Sequence, residues 1–560
     1  MTDPQTRALT YTALGGAGEI GLNCYLYRLG ANGRGDMIMV DLGIGFGDME
    51  TSPGVELVLP DLASLAGEED RVQALFLTHA HEDHVGAIPH LWARFGKPIY
   101  ARPFTAEIVR RKLDEAGLDR SLVHEVDAYA PVHAGAFEVE FLPITHSVPE
   151  ASMLAIRTER GTVVHSGDFK LDPDPQLGEP YDLAPYERLG REGVLALACD
   201  STNVFQAGNA GSEAEITPNL RRLIASAPGA VAATSFASNV ARLRTMAQAA
   251  TDVGRSVVVA GRAMRRMIDV ALETGQLRDF PKLVPEDRAG DIPAEHLFYL
   301  VTGSQGEGRA ALARIAAGSH PTVSLSAGDT VLFSSKTIPG NEAGIYRLYN
   351  RLSEQGIRVI DGEMERIHVS GHARRDDLAR LYRALRPKVA IPIHGEHRHL
   401  VEHARRAREW GAAHAVVAPD GAVARVDGNA PGVIDEVETG RVYLDGIVHV
   451  GALDGVIRER LKLARQGHVM VSLVVDEEGD LLADPVVRCA GAPKTADSWP
   501  APLHELIAES VDDALEDTPS KQKRTDGAIE EVATRAARRI SMRYWGKKPV
   551  TTVMVTRLED

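Results

Sequence analysis

The sequence predicts a mixed α/β protein: an N-terminal region of sheets packed on sheets, a parallel α/β unit set within the chain, and a small C-terminal α/β piece. Three observations predict it. From Tyr11 to about Asp200, short β-rich runs recur with turn residues between them, among them "NCYLYRLG", "DMIMVDLG", "VQALFLTH", "FEVEFLPITH", "GTVVHSGD" and "GVLALACD"; strands at this spacing with few helices suggest sheet on sheet. Between about Gly211 and Gly362, helical stripes such as "NVARLRTMAQAATDVG" and "AMRRMIDVALETG" alternate with "AVAATSF", "SVVVAG" and "TVLFSS", the pattern of a parallel α/β unit. Beyond about Ile457 a strand in "HVMVSLVVDEEGDLL" precedes an acidic helix near "LHELIAESVDDALED" and a basic one near "EVATRAARRISMRYWGKK".

Within the first region, residues 85–95 read as the clear helical exception, with Val85, Ile88, Leu91, Trp92 and Phe95 on one face. Strand-like character returns in "RIHVSGHA" and "VAIPIHGE", and residues 418–440 read as a connector of turns and short strands. The boundaries drawn are 1–210, 211–365 for the inserted unit, 366–450 for a return to the first domain with its linker, and 451–560. "GGAGEIGLN" contains a G-x-G-x-x-G at Gly16, Gly18 and Gly21, but the β-rich "NCYLYRLG" follows where a dinucleotide loop would open a helix, and no G-K-[ST] occurs. It reads as a tight turn between the first strands. An NTP or NAD cofactor is not expected.

At ~150 residues per domain, 560 residues allow three or four. No window approaches the ~20 unbroken apolar residues of a membrane span, and "MTDPQTRALTYTALGG" has neither a basic n-region nor an apolar h-region. Cys24, Cys199 and Cys489 lie far apart, which argues against a disulfide scaffold or a thiolate zinc site. A cytoplasmic protein without a membrane partner is expected. The net charge of -16 would ordinarily count against a nucleic-acid partner, but a bound metal cluster supplies positive charge of its own.

The stretch "LTHAHEDHVGAIPHLW" places His79, His81, Asp83 and His84 on one tight loop where an apolar strand ends. Imidazole and carboxylate suit Zn²⁺ or Mn²⁺, and a site without thiolates stays open enough to keep water. Further ligand types stand at the ends of other apolar runs: His146 after "EFLPIT", Asp168 after "TVVHSG" and His394 after "KVAIPI". A single such residue is usually structural; the repetition points to a dimetal site.

"THAHEDHVG", with "GGAGEIGLN" upstream and His146, Asp168 and His394 downstream, resembles the metallo-β-lactamase fold family. The resemblance implies a four-layer αββα sandwich with metals at one edge. It assigns His79, His81 and His146 to one metal, Asp83, His84 and His394 to a second, and Asp168 to a bridge between them. The inserted α/β unit resembles that of the β-CASP branch, whose later motifs match Asp200 in "ACDSTN", His372 in "HVSGHA" and His394 in "PIHGE"; histidine at the last favours RNA over DNA.

Together with "HSGDFKLD", "SFASN" and "SSKTIPGNE", these motifs are similar to the ribonuclease J family over most of residues 8–450. The similarity implies 5′ to 3′ exonucleolysis of single-stranded RNA, endonuclease activity in addition, a preference for 5′-monophosphorylated ends, and a water activated between two cations that leaves 5′-phosphate products. It gives Asp83, Asp168, Asp200 and His372 catalytic parts, His372 as a proton or hydrogen-bond donor and Asp200 as the group that orients a ligand histidine. It places Phe236, Ala237, Ser238, His368, Val369, Ser370, Gly371 and His372 along the RNA channel. A homodimer through the C-terminal region and contacts with other RNA-decay proteins are also implied.

An additional structural divalent cation near Asp48, Glu50 and Asp445 is allowed by oxygen-ligand chemistry, with exposed loop acids as the plainer reading. The basic run from Lys521 to Lys548, with Tyr544 and Trp545 in it, reads as a solvated helix face or dimer contact before an RNA contact. Two rival functions stand beside the nuclease: a non-catalytic β-CASP RNA-binding subunit, which would lack several ligands, and a small-molecule esterase or lactonase, which would need no inserted domain.

Overall fold

The computed structural model describes residues 7–31, 34–48, 50–338 and 340–558; the reading of the N-terminal segment falls partly on residues 1–6, outside the described residues. The chain forms two compact units, Met1–Gly45 with Leu59–Arg441, and Phe46–Val58 with Val442–Asp560.

Two sheets form the centre of the first unit. One runs Gly432–Glu436, Ala422–Arg425, Ala8–Gly15, Cys24–Ala31, Arg34–Val40, Val72–Phe76, Ile99–Ala101, Val123–Glu125; the other runs Pro131–Ala134, Phe137–Pro143, Ser152–Thr158, Gly161–His165, Val194–Asp200, Val389–Ile393, His414–Ala415. Their facing sides bury Tyr11, Tyr27, Ile38 and Phe76 against Phe141, Leu154, Ile156 and Ile391. The alternation is that of a strand covered on both faces: Leu154 and Ile156 enter this core, whereas Met153 and Ala155 pack on the other side with Tyr186 and Leu381. Helices Ala184–Glu192 and Arg375–Leu385 supply those two outer residues.

The inserted region is a six-stranded sheet, ordered Leu283–Val284, Ser256–Ala260, Leu297–Val301, Val231–Thr234, Thr330–Phe333, Arg358–Ile360, and every pairing in it is parallel. Strand Leu297–Val301 was not anticipated, because short 3-10 turns rather than a helix precede it.

Three readings change. The helix expected over 85–95 begins earlier and breaks into Glu82–Val85, Ile88–Leu91 and a 3-10 turn at Trp92–Arg94; Pro89 lacks the N–H that a continuous helix would donate to the Val85 carbonyl. "RIHVSGHA" is loop, not strand, since its carbonyls bond to side chains rather than to a neighbouring strand. The 418–440 connector has the short strands expected of it, Ala422–Arg425 and Gly432–Glu436, and they pair at the edge of the first sheet. Finally, Phe46–Val58 leaves the first domain and the later boundary moves from 450 to 441, because Glu56 N–H bonds to the Leu444 carbonyl at 3.1 Å and Arg460 reaches the Pro53 carbonyl.

In the second unit, strands Val486–Ala490, His468–Val475 and Val550–Arg557 form a sheet. Val469, Val471 and Leu473 pack beneath helices Leu503–Glu516 and Asp526–Tyr544 through Ile507, Val511, Ile529 and Ala533. The second helix turns its small residues inward, while Arg535 in its basic run remains 69% exposed.

The glycine-rich loop is a tight turn with a further task. Ala17–Gly18 pairs in parallel with Gly395–Glu396, and the Gly16 carbonyl accepts the His394 N–H at 2.6 Å. Gly16 has φ +86°, and a Cβ there would lie 2.4 Å from the Tyr25 hydroxyl and 2.6 Å from Asn23 Oδ1. Gly16→Ala should therefore lower stability by about 1–3 kcal/mol in urea unfolding. Gly67→Ala, with φ +79° but open space around it, should cost only the left-handed backbone strain, about 1–2 kcal/mol.

Candidate metal centre

Strands that end together build this site. Gly161–His165, Val194–Asp200 and Val389–Ile393 are neighbouring parallel strands, so Asp168, Asp200 and His394 follow from one edge of their sheet. On the facing sheet, Arg34–Val40 and Val72–Phe76 are likewise parallel and lead into Asp41, Thr78 and His79. Crevices at the carboxyl ends of parallel strands are where side chains converge without sheet hydrogen bonds to satisfy.

The hydrogen bonds fix the tautomers. Asp41, fully buried, accepts the Thr78 hydroxyl at 2.8 Å. That hydroxyl has one proton, so it accepts from His79 Nδ1 at 3.0 Å, leaving His79 Nε2 with a lone pair. His146 Nδ1–H donates to the Gly371 carbonyl at 2.7 Å, leaving its Nε2 likewise. Both face His81 Nδ1, at 3.0 and 3.2 Å. Three nitrogens thus meet with at most one proton among them. Tetrahedral ligands at ~2.0–2.1 Å from a Zn²⁺ lie about 3.3 Å apart, so this triad fits a cation where it does not fit itself.

A second set adjoins it. His84 Nδ1 donates to Asp41 at 2.8 Å, and its Nε2 lies 3.2 Å from Asp168 Oδ2 and 3.6 Å from Asp83 Oδ2. His394 Nε2 stands 3.3 Å from Asp83 Oδ2. Asp168 Oδ2 is also 3.8 Å from His79 Nε2, so one carboxylate faces both sets, while its Oδ1 lies 3.1 Å from His394 Nδ1. Ligand atoms of His79, His81, His146 and Asp168, and of Asp83, His84, Asp168 and His394, all lie within 4.8 Å of one another in each group. The seven residues expected from the sequence are brought together.

Electrostatics separate the two sets. Burial, then the neighbouring imidazoles, push His79 and His146 well below the ordinary histidine range; burial takes His81 down to about 4. Burial opposes charge on His84 too, but Asp168, Asp83 and Asp41 outweigh it and raise its pKa to about 10. The carboxylates Asp83 and Asp168 are held below their usual range, against burial, by the histidines around them.

His372 and Asp200 form the third group, with Asp168 and His394. Asp200 Oδ2 accepts His372 Nδ1–H at 2.9 Å, whereas Asp200 Oδ1 is 3.6 Å from His394 Nδ1. Its nearer partner is therefore His372, with His394, the ligand histidine the resemblance implied, farther off. His394 Nδ1 lies 3.1 Å from both the Thr202 hydroxyl and Asp168 Oδ1.

His368, Val369 and Ser370 line a cavity of about 600 Å³ together with Lys336, Arg366 and Arg374. The three cations were not singled out in the sequence. Phe236, Ala237 and Ser238 form the turn before helix Val240–Asp252 and are not among the residues that line the cavity. The proposed third-cation residues do not assemble: Asp48 accepts the Glu50 and Thr51 amides at 2.7 and 2.8 Å, Asp445 pairs with Arg460, and among the described residues they form no convergent group. Asp41, Thr78 and Thr202 were missed; Asp41 at least carried the shared signal of an acid directly after an apolar strand, "MIMVDLG".

The metallo-β-lactamase superfamily model matches residues 17–261, and the chain is 41% identical to Ribonuclease J of Sinorhizobium meliloti over 99% of this chain and 98% of the relative. The chain belongs to the ribonuclease J family. Ribonuclease J of Synechocystis sp. is 38% identical, covering 91% of this chain and 79% of the relative, and that of Mycolicibacterium smegmatis 38%, covering 83% of each. The model described as Ribonuclease J, beta-CASP domain matches residues 228–352, where the inserted parallel sheet lies. The Zn-dependent metallo-hydrolase RNA specificity domain matches 345–419, which contains His368, His372 and His394, and the Ribonuclease J C-terminal domain matches 455–558. The architecture is thus a metallo-β-lactamase domain with an inserted β-CASP domain and a C-terminal domain, in a family of metal-dependent RNA hydrolases.

Divalent metal uptake should report the two environments. Near pH 7 the His79, His81 and His146 imidazoles are neutral and bind without releasing protons. His84 must lose its proton, so affinity on its side rises with pH toward about 10. Indicator-dye titration of metal-free protein with Zn²⁺ or Mn²⁺ should show proton release from His84 and from His394, whose pKa Asp168 and the neighbouring carboxylates raise well above the ordinary range against burial, and His84→Asn should remove the His84 share and leave that of His394. In the metal-free fold the same raised pKa stabilises the native state fully below about pH 6.5, the unfolded value, and that contribution is lost as pH rises through about 10.

Proposed function

We propose that the protein hydrolyses single-stranded RNA from the 5′ end, with endonuclease activity in addition, prefers 5′-monophosphorylated ends and leaves 5′-phosphate products. One observation carries this reading: the loop from His368 to His372 lines the basic cavity at one end and joins the metal centre at the other, where His372 Nδ1 lies 3.8 Å from Asp168. A chain whose terminal phosphate enters beside Lys336, Arg366 and Arg374 would present a neighbouring phosphodiester to the metal centre.

His79, His81 and His146 would hold one cation and Asp83, His84 and His394 another, with Asp168 between them. Such ions, Zn²⁺ or Mn²⁺, supply Lewis acidity and an activated water for in-line attack on phosphorus. The chain's own residues do the rest. Asp200 takes the Nδ1 proton of His372 and points the Nε2 edge outward, and Asp200 with Asp168 raises the pKa of His372 against the effect of burial. His372 is then a proton donor suited to the departing 3′ oxygen. Asn203 holds the loop in place, donating to Ser370 Oγ at 2.8 Å and to the His372 carbonyl at 3.2 Å.

Metal-replete protein given 5′-monophosphate RNA should release mononucleotides from the 5′ end; internal cleavage alone, or ester hydrolysis without RNA cleavage, would sink the reading. His372→Ala should keep its metal by elemental analysis yet lose about 10²–10⁴ in kcat. Because Asp200 sustains the His372 proton, Asp200→Asn should move the alkaline limb of the kcat profile to lower pH.

A further inference from the structure

Arg242 is fully buried, one turn into the helix that Asn239 caps by accepting the Arg242 N–H at 2.9 Å. A cation near a helix N-terminus is disfavoured by the helix dipole. Glu213, 3% exposed, compensates it by accepting from both Nε and Nη2. The rest of the guanidinium reaches across domains: Nη1 donates to the Ser334 carbonyl and hydroxyl, both at 2.8 Å, and to the Ile367 carbonyl at 3.4 Å, while Nη2 donates to the Val369 carbonyl at 3.3 Å. Nη1 also lies 3.2 Å from His368 Nδ1.

That last contact has a strict chemical meaning. A guanidinium has donors and no acceptor, so His368 Nδ1 must be unprotonated, and the single proton of the ring resides on Nε2. With Nδ1 turned inward, the opposite edge of the ring is left for the cavity that His368 lines with Lys336, Arg366, Ser370 and Arg374. Burial and the charges of Arg242, Lys170 and Lys336 hold the ring well below the ordinary histidine range, against a hydrogen bond to the Ser334 backbone that favours its charged form. Of the nearby charges, Lys170 is paired with Asp172 at 2.7 Å and Arg366 with Glu215, whereas Arg374 Nε is buried without a hydrogen bond.

We propose that Arg242 is a positioning residue for recognition of the RNA end: it holds His368 as a neutral Nε2–H donor and fixes the Ile367–Val369 backbone, so that the cavity presents an oriented phosphate site. This rests on the reading that the terminal phosphate enters that cavity. A neutral donor adds direction to the site without adding another cation beside Lys336 and Arg374, and recognition then does not depend on histidine protonation.

The test uses full-length, metal-loaded protein. Ring ¹⁵N spectra of histidine-labelled protein, with His368→Gln to assign the signal, should show His368 as the Nε2–H tautomer throughout about pH 5.5–8. Arg242→Lys keeps a charge for Glu213 but cannot span five acceptors with one ammonium, and the double variant Glu213→Met with Arg242→Met replaces the buried pair by apolar groups, which folds tolerate. In each, the His368 ring should no longer be held to one tautomer, and in the double variant its pKa should rise toward the ordinary ~6.5, short of it because burial remains. KM for 5′-monophosphate RNA should rise about tenfold, the loss of one charge-assisted contact, and become pH-dependent, with kcat changing less than KM. A His368 signal that keeps its tautomer in the folded double variant overturns the role of Arg242. If the tautomer responds but wild-type protein does not distinguish 5′-monophosphate from 5′-hydroxyl RNA, the reading of the cavity fails instead, and end recognition with it.

Discussion

The first unit is organised around a deficit of protons. His79 Nε2 and His146 Nε2 lie 3.0 and 3.2 Å from His81 Nδ1, with at most one hydrogen to share among the three. Lone pairs held this close raise the energy of the empty site, and only a cation satisfies all three at once. The metal dependence of the family is written into that geometry before any ion is considered.

Such a site persists because each ligand is tied from behind. Asp41 receives Thr78 and His84, Thr78 in turn receives His79, and the Gly371 carbonyl receives His146. Each bond fixes a tautomer and a ring orientation, which is how groups beyond the ligands tune a metal site. The glycine loop performs the same service for the backbone, since the Gly16 carbonyl and the Ala17–Gly395 pairing hold His394 at φ +50°, a conformation that an unsupported histidine seldom adopts.

The inserted domain is joined to this centre by polar contacts as well as by packing. Leu300 and Leu332 of its sheet share one core with Leu197 and Cys199 of the catalytic sheet, while Arg242 from the insert bonds to the loop that carries His368. That loop has no strand partner. Side chains from three sides, Arg242, Asn203 and His146, take its carbonyl and hydroxyl oxygens instead, so the cavity-lining residues and the candidate metal ligands are set by a single hydrogen-bonded framework.

The sequence alone determined the ligand set, the alternation of buried strands and the existence of an inserted parallel sheet, because each is local: ligand types at strand ends, a period of two, a helix stripe followed by a strand. It could not settle where "RIHVSGHA" stops being a strand, that "APDGAVARVDG" would extend the first sheet, or that Phe46–Val58 would join the C-terminal unit, since backbone partners far along the chain decide each. Asp200 shows the same limit within the site. Its type and position were legible, but its choice of His372 over His394 rests on a difference between 2.9 and 3.6 Å, which only the packing of three parallel strands against the insert fixes. Chemistry that resides in residue type can be read along a chain; chemistry that resides in which lone pair faces which proton exists only after the fold has closed.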